Sequence, residues 1–235
     1  MIVNPESEVR VELANGSIPV LIIENFYSDP FDVRKQALGE AFEESRALYP
    51  GRHATIQTPE SRAVVEQVCA VLSAVGDREF VARTATTDFS ILTTKAADLL
   101  SVQKHPHIDP TPVLGLIYLN PGSSQGTCLF RNKVLGTHSV VTPEHRDALV
   151  KFLDEQGAAF APSGYDVVED GAWERIYTIE GKFNRLVVYP GNVFHSIDVK
   201  DVPASFSVET SRLTQRIIIQ HSRAKQPAQH SGVAS

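Results

Sequence analysis

The first third of the chain combines one apolar run with two patterns of helical spacing. The run from Ile18 to Phe26 is rich in β-branched residues, which favours a strand. Asp29-Pro30 and Thr58-Pro59 each place a capping side chain directly before proline, as at the first turn of a helix. Valines and leucines follow the second start at helical spacing as far as Gly76, and glycine is typical of a helix end. We expect both helices to be packing elements.

From residue 80 onward the pattern changes to short β-like runs punctuated by turn residues. The candidate strands are Phe80 to Leu92, Val113 to Leu119, Thr127 to Arg131, Ile176 to Ile179, Arg185 to Tyr189, and Leu213 to Gln220. One more helix is predicted from Thr142-Pro143 to about Gln156. Helices first and many short strands later predict a mostly β protein, a sandwich or barrel with flanking helices.

Composition narrows the class of protein without changing this outline. The hydrophobic fraction is 42% and the net charge is −6, with no run of Lys or Arg, so we expect a soluble globular chain that does not bind nucleic acid. Two cysteines, Cys69 and Cys128, fit a reducing cytoplasm better than a disulfide framework. The first residues lack the order of a signal peptide, and no apolar run approaches the roughly 18 residues that span a bilayer. Residues 223–235 are small and polar, and we expect a flexible tail there.

The stretch HPHIDP, from His105 to Pro110, is the most informative for chemistry. In an extended strand His105, His107 and Asp109 would share one face. Two histidines and one carboxylate suit iron(II), because they occupy one face of an octahedral ion and leave other positions open. A His-x-Asp pair is also common by chance, and polar residues near strand ends usually face water. A third ligand must come from elsewhere in the chain.

His195 is the best candidate for that third ligand. It follows the strand pattern from Arg185 to Tyr189 and the turn Pro190-Gly191-Asn192, so it is able to point into the mouth of a barrel. From the residues alone, the alternative is a half-buried histidine that forms hydrogen bonds in a loop.

The last strand pattern begins with Arg212-Leu213-Thr214, whose outer two residues share a face. A guanidinium offers a planar fork of donors to a carboxylate, and a hydroxyl adds another donor. An arginine at a strand start is also commonly a solvated edge residue. Arg216 lies on the same face, so the residues alone leave it open as a rival to Arg212.

Taken in their order along the chain, these motifs resemble the core of the prolyl-4-hydroxylase-like 2-oxoglutarate- and iron(II)-dependent oxygenases. The stretch from His107 to Phe130 reads His-x-Asp, then Tyr-Leu-Asn at a strand end, then Gly-x-Thr-x-Phe, as in that superfamily. The stretch from Arg185 to Val199 is similar to its strand, Pro-Gly turn and distal histidine, and Arg212-x-Thr214 is similar to its cosubstrate motif. The chain as a whole, including FYSDPFDVR from Phe26 to Arg34, resembles a largely uncharacterised bacterial group within the superfamily.

The resemblance implies a fold and a set of site residues. The fold is a double-stranded β-helix, also called a jelly-roll or cupin-like core. The implied iron(II) ligands are His107, Asp109 and His195. The implied contacts of the 2-oxoglutarate carboxylate are Arg212, Thr214 and Tyr118. His105 is then either a neighbour of the ligands or an exposed residue.

We expect one oxygenase domain over residues 1–222, with helical support over 1–79 and the jelly-roll core over 80–222. The long insert over 132–182 departs from the usual spacing of the superfamily, and we expect a lid and specificity element there. The distal arginine also lies further past the distal histidine than usual, so a loop should precede the last strand.

The implied reaction consumes O2 and 2-oxoglutarate, releases succinate, and hydroxylates a small molecule such as an amino acid or a derivative. Arg131 and Gln103 are weaker candidates for substrate contacts. The alternatives are a cupin-type metal enzyme that does not use 2-oxoglutarate and a non-catalytic jelly-roll binding protein. The oligomeric state is left open, with a homodimer as one option.

Overall fold

The computed structural model describes residues 1–45, 49–76, 79–122, 125–160, 164–167, 171–199 and 211–222, and the tail predicted over 223–235 lies outside these residues. The strands are β1 (Glu8–Ala14), β2 (Ile18–Glu24), β3 (Glu43–Glu44), β4 (Gly51–Ile56), β5 (Val81–Leu92), β6 (Val113–Tyr118), β7 (Gly126–Asn132), β8 (Trp173–Ile179), β9 (Leu186–Tyr189), β10 (His195–Asp198) and β11 (Leu213–Ser222). The helices are α1 (Pro30–Leu38), α2 (Pro59–Val75) and α3 (Pro143–Gln156), with 3-10 turns at Ala96–Asp98, Ser101–Lys104 and Gly157–Phe160.

All three predicted helices begin where the sequence indicates. Asp29, Thr58 and Thr142 each accept a hydrogen bond from the backbone N–H three residues further on, which satisfies a donor that the first turn leaves free. Helix α2 buries a stripe that includes Val64 and Val68, and it ends before Gly76 as predicted.

The strands form two antiparallel sheets. The large sheet has the order β1-β2-β9-β6-β11-β5-β4-β3, and the small sheet has the order β10-β7-β8. The chain passes between them in turn: β5 and β6 lie in the large sheet, β7 and β8 in the small one, β9 in the large, β10 in the small and β11 in the large. This alternation defines a double-stranded β-helix, so the predicted fold class is confirmed.

Two parts of the chain contain more strand than predicted. Residues 1–79 carry β1 to β4 besides α1 and α2, and these strands extend the large sheet at both edges. The expectation of a helical support over 1–79 therefore describes only half of its structure. Within 132–182, β8 pairs with β7 along the small sheet, so this part of the insert belongs to the core.

Three apolar clusters hold the layers together. One lies between the two sheets and includes Leu116, Leu129 and Val187. A second joins the outer face of the large sheet to α1 and α2, and a third joins the outer face of the small sheet to α3 through Phe152 and Trp173. In the described part of the chain, no helix combines the length and the apolar character needed to cross a membrane.

Candidate functional site

The three predicted metal ligands meet in the space between the sheets. The ligand atoms of His107, Asp109 and His195 all lie within 4.8 Å of one another. The two histidines exchange backbone hydrogen bonds of 2.9 and 2.8 Å, which pairs their segments as a short β-bridge. The backbone N–H of Asp109 donates to the carbonyl of Gly191 at 2.8 Å, so the predicted Pro-Gly turn holds the His-x-Asp segment. The arrangement is able to hold one metal ion, and metal binding itself stays a prediction.

The tautomer of His195 suits a metal ligand. Its Nδ1 lies 2.9 Å from the carbonyl oxygen of Val193. A carbonyl only accepts, so Nδ1 carries the proton and Nε2 keeps a free lone pair. That Nε2 lies 3.8 Å from Oδ2 of Asp109. Burial lowers the pKa of His195, and burial together with the neighbouring His195 lowers the pKa of His107, so both imidazoles are neutral as ligation requires.

Arg212 lies in the same cavity as the ligands and is 3% exposed. Its Nη2 donates long hydrogen bonds to the Gly126 carbonyl at 3.3 Å and to Thr127 Oγ1 at 3.5 Å. Its buried Nε has no hydrogen-bond partner, and no carboxylate among the described residues lies within ion-pair distance. Thr214 lines the cavity beside it and is 1% exposed. A buried cation without a counter-ion is costly, so the site favours an anionic ligand.

Arg216, which the sequence left open as an alternative to Arg212, already forms an ion pair with Asp88. Its Nη2 lies 2.8 Å from Oδ2 of Asp88, and its Nε donates to both carboxylate oxygens at 3.1 and 3.2 Å. Asp88 also accepts a hydrogen bond of 2.8 Å from Ser90. Arg216 therefore contributes a neutralised pair to the cavity wall, whereas Arg212 contributes an unpaired charge.

Tyr118 supports Arg212 in a different way from the one expected. It does not line the cavity, and its hydroxyl lies 3.0 Å from Thr127 Oγ1. The Arg212 guanidinium lies 5.5 Å from the centroid of its ring, close enough for a cation–π contact. Two other tyrosines line the cavity, Tyr49 and Tyr189, and both have buried hydroxyls without a hydrogen-bond partner in the described structure. The sequence analysis missed both, although Tyr189 ends a predicted strand.

His105, Arg131 and Gln103 lie away from the cavity. His105 is buried, and its Nδ1 accepts a hydrogen bond of 3.3 Å from the indole N–H of Trp173, so it faces the insert and is not exposed. Arg131 is 47% exposed and lies 3.7 Å from Glu174. The Gln103 side chain accepts a hydrogen bond from a backbone N–H within its own 3-10 turn. Neither Arg131 nor Gln103 reaches the position expected of a substrate contact.

The cavity has a volume of about 230 Å³ and opens between the sheets. Besides the polar groups above, its wall is apolar, from Ile108, Leu114, Leu116 and Ile197. Convergent polar groups in an apolar wall are typical of a ligand site. None of the described residues of the 132–182 insert lines it, so these residues do not form the expected lid.

Comparison with known proteins gives a family and a set of similar structures. Residues 5–219 match the profile of a family described only as a family of unknown function, DUF6445. No curated protein sequence matches the chain.

The similar solved structures include two prolyl hydroxylases. The enzyme from Trichoplax adhaerens, solved with a peptide of hypoxia inducible factor, is 13% identical with a TM-score of 0.47, over 86% of this chain and 83% of that one. The prolyl-4-hydroxylase from Pseudomonas putida is 15% identical with a TM-score of 0.46, over 86% and 91%. HygX from Streptomyces hygroscopicus, solved with nickel and 2-oxoglutarate, is 14% identical with a TM-score of 0.46, over 84% and 81%. These are enzymes of the kind that the sequence resembles.

Proposed function

We propose that this chain, which belongs to the family of unknown function DUF6445, is an iron(II)- and 2-oxoglutarate-dependent oxygenase. One observation carries the proposal: a His-Asp-His cluster and a buried arginine that has no carboxylate partner among the described residues share one cavity. The cluster supplies the donors for a metal, and the arginine supplies the charge for an organic acid.

The donor set fits iron(II). Two neutral imidazoles and one carboxylate from His107, Asp109 and His195 form the two-histidine, one-carboxylate set of non-haem iron oxygenases. The hydrogen bond from Nδ1 of His195 to the backbone orients that ring before any metal arrives. When bound, iron(II) supplies the dioxygen chemistry, and 2-oxoglutarate supplies two electrons as it is converted to succinate and CO2.

The arginine side of the cavity fits a carboxylate. The Nε of Arg212, which has no partner among the described residues, and the hydroxyl of Thr214 offer donors to the cavity from the start of β11 and the residue before it. Because Arg212 is buried and pairs with no carboxylate in the part of the chain that the structure describes, a carboxylate ligand there would restore neutrality in a dry setting. Tyr118 would act through Arg212, by holding the guanidinium over its ring. This set of contacts also weighs against a cupin-type enzyme without 2-oxoglutarate, which would have Arg212 and Thr214 facing away from the metal ligands.

For the substrate we propose a small molecule such as an amino acid or a derivative. The cavity volume of about 230 Å³ lies below the ~300–1,000 Å³ of typical ligand sites, and the cosubstrate would share it, which favours a small substrate. A screen of amino acids and derivatives for stimulated succinate release would test this part.

The test of the cofactors is direct binding without oxygen. Anaerobic protein with iron(II) should develop a weak visible charge-transfer band on addition of 2-oxoglutarate. Arg212→Met should lose the band, with an affinity for 2-oxoglutarate lowered by about 30-fold or more, because truncating one member of a buried charge pair costs about 2–5 kcal/mol. Arg216→Lys is the control and should keep the band. It changes the other arginine of the cavity but preserves a positive charge opposite Asp88.

Other outcomes would replace the proposal. Metal binding with no band and no 2-oxoglutarate binding would indicate the cupin-type enzyme. Absence of metal binding would indicate a jelly-roll binding protein. A band that survives in Arg212→Met and is lost in Arg216→Lys would move the anchor to Arg216.

A further inference from the structure

Strand β1 is an outer strand of the large sheet. It pairs with β2 along its whole length, from Glu8 opposite Glu24 to Ala14 opposite Ile18, without a register shift. In the described structure no strand lies on its other side. Between Glu8 and Ala14 there is no proline or glycine to interrupt that free edge. An uninterrupted edge offers a row of free N–H and C=O groups to another strand.

One face of this edge strand is apolar and uncovered. Val9 and Val11 stand opposite Ile23 and Leu21, which are buried in the cluster beneath α1 and α2. Directly opposed residues point to the same side of a sheet. Val9 and Val11 are nevertheless each 44% exposed, and Leu13 on the same face is 61% exposed. The apolar stripe therefore continues past the helices to the edge of the molecule.

The other face of β1 carries two opposite charges at matched positions. Arg10 and Glu12 flank Val11, lie 2.9 Å from each other, and are 44% and 40% exposed. If a second β1 ran antiparallel with the two Val11 residues opposite each other, Arg10 of each copy would face Glu12 of the other. Val9 of each copy would face Leu13. A shift of two residues either way would oppose Arg10 to Arg10 or Glu12 to Glu12, which is repulsive.

We propose that β1 is a self-association surface on which β1 of a second copy pairs antiparallel, with the two-fold axis at Val11. In this pairing Arg10 of each copy contacts Glu12 of the other, which is the reciprocal arrangement that an isologous interface requires. The pairing would join two large sheets edge to edge and cover Val9, Val11 and Leu13 of both chains. This inference is independent of the proposed oxygenase activity.

The wild-type chain should have twice its 25.8 kDa mass by light scattering at micromolar concentration. Residues at the axis face themselves, which allows a specific test by cross-linking. Val11→Cys should form a disulfide-linked dimer under mild oxidation, because directly opposed Cα atoms are about 4.5–5.5 Å apart. Leu13→Cys is the matched control, since its two copies would be about 14 Å apart at ~3.4 Å per residue.

Charge at the axis gives a second test. Val11→Lys and Val11→Glu should each shift the mass to that of a monomer, and mixing the two variants should restore a dimer that contains one of each. Val81→Lys is the control, because Val81 is also a strand valine with 44% exposure. Circular dichroism should show that each variant is folded.

Three results would overturn the proposal. One is a monomeric wild-type chain at micromolar concentration. Another is a Val11→Lys variant that stays dimeric. The third is cross-linking of Leu13→Cys as readily as Val11→Cys, which would place the axis elsewhere.

Discussion

Replacing Arg212 by methionine should stabilise the ligand-free protein, although it removes the residue proposed to bind the cosubstrate. Arg212 is 3% exposed, its Nε lacks a partner, and its two hydrogen bonds are long, at 3.3 and 3.5 Å. The folded chain therefore loses the hydration of a cation and gains only these two hydrogen bonds and the contact with the Tyr118 ring. Replacing a buried ion pair by apolar residues of similar size is neutral or stabilises by about 1–4 kcal/mol, and we expect a gain at the lower end of that range, of about 1 kcal/mol, for this single cation.

Arg216→Met should have the opposite effect. Arg216 and Asp88 have side chains only 20% and 10% exposed and lie 2.8 Å apart at their closest atoms. Methionine would break this buried pair and leave Asp88 with only His53 at 3.4 Å and the Ser90 hydroxyl, at a cost of about 3–5 kcal/mol. The two substitutions are the same in chemistry, and their positions are four residues apart, Arg212 directly before β11 and Arg216 within it.

Urea unfolding of metal-free protein, followed by circular dichroism, would measure both free energies of unfolding. A loss of about 1 kcal/mol or more in Arg212→Met would refute the reasoning, because Arg212 would then be a structural residue with a partner. Equal losses in the two variants would do the same.

Two further predictions concern a buried carboxylate and a crowded glycine. Burial raises the pKa of Glu24, but hydrogen bonds from two arginines outweigh it and lower the pKa to about 2. Glu24 should therefore stabilise the folded chain fully above about pH 4.5, and about 3 kcal/mol of this stabilisation should be lost as the pH falls towards 2. Acid unfolding of the Glu24→Gln variant should lack this pH dependence. Gly191→Ala would place a Cβ 2.7 Å from the Thr111 carbonyl oxygen and 3.0 Å from that of Asp109. Because Gly191 holds Asp109 through a backbone hydrogen bond, this substitution should weaken the binding of Mn(II), used in place of iron(II), as measured by calorimetry. Gly39→Ala is the control and should not, because the nearest atom to its Cβ would be 3.4 Å away.

The helices and most core strands could be predicted because their signals are local. Capping residues before proline mark all three helix starts, and apolar runs mark β5, β6 and β9. Strand β1 was missed because the valines of EVRVELA alternate with charges and its apolar face is open to solvent. Strand β4 was missed because GRHATI is short and half polar.

The residues of the candidate site could be predicted where they belong to a sequence motif. They could not be predicted where a residue's role depends on the register of the strands. The family resemblance implied His107, Asp109 and His195, through a His-x-Asp motif and a histidine after a Pro-Gly turn, and the structure brings the three residues together. The choice between Arg212 and Arg216 depends on Asp88, which stands directly opposite Arg216 only because of the pairing of β11 with β5. Likewise, no sequence pattern shows that the hydroxyl of Tyr118 is engaged by Thr127.

The paired hydrogen bonds between His107 and His195 have a consequence for the folding of the chain. They join segments far apart in sequence, and a contact between distant segments forms late because closing a long loop costs entropy. During synthesis, a ribosome-bound chain would carry His107 and Asp109 long before His195 emerges. Two ligands hold a metal ion weakly, so the chain would select its metal only after the β-helix has formed and brought all three ligands together. If the cluster binds iron as proposed, the ion would be captured only after His195 has left the ribosome.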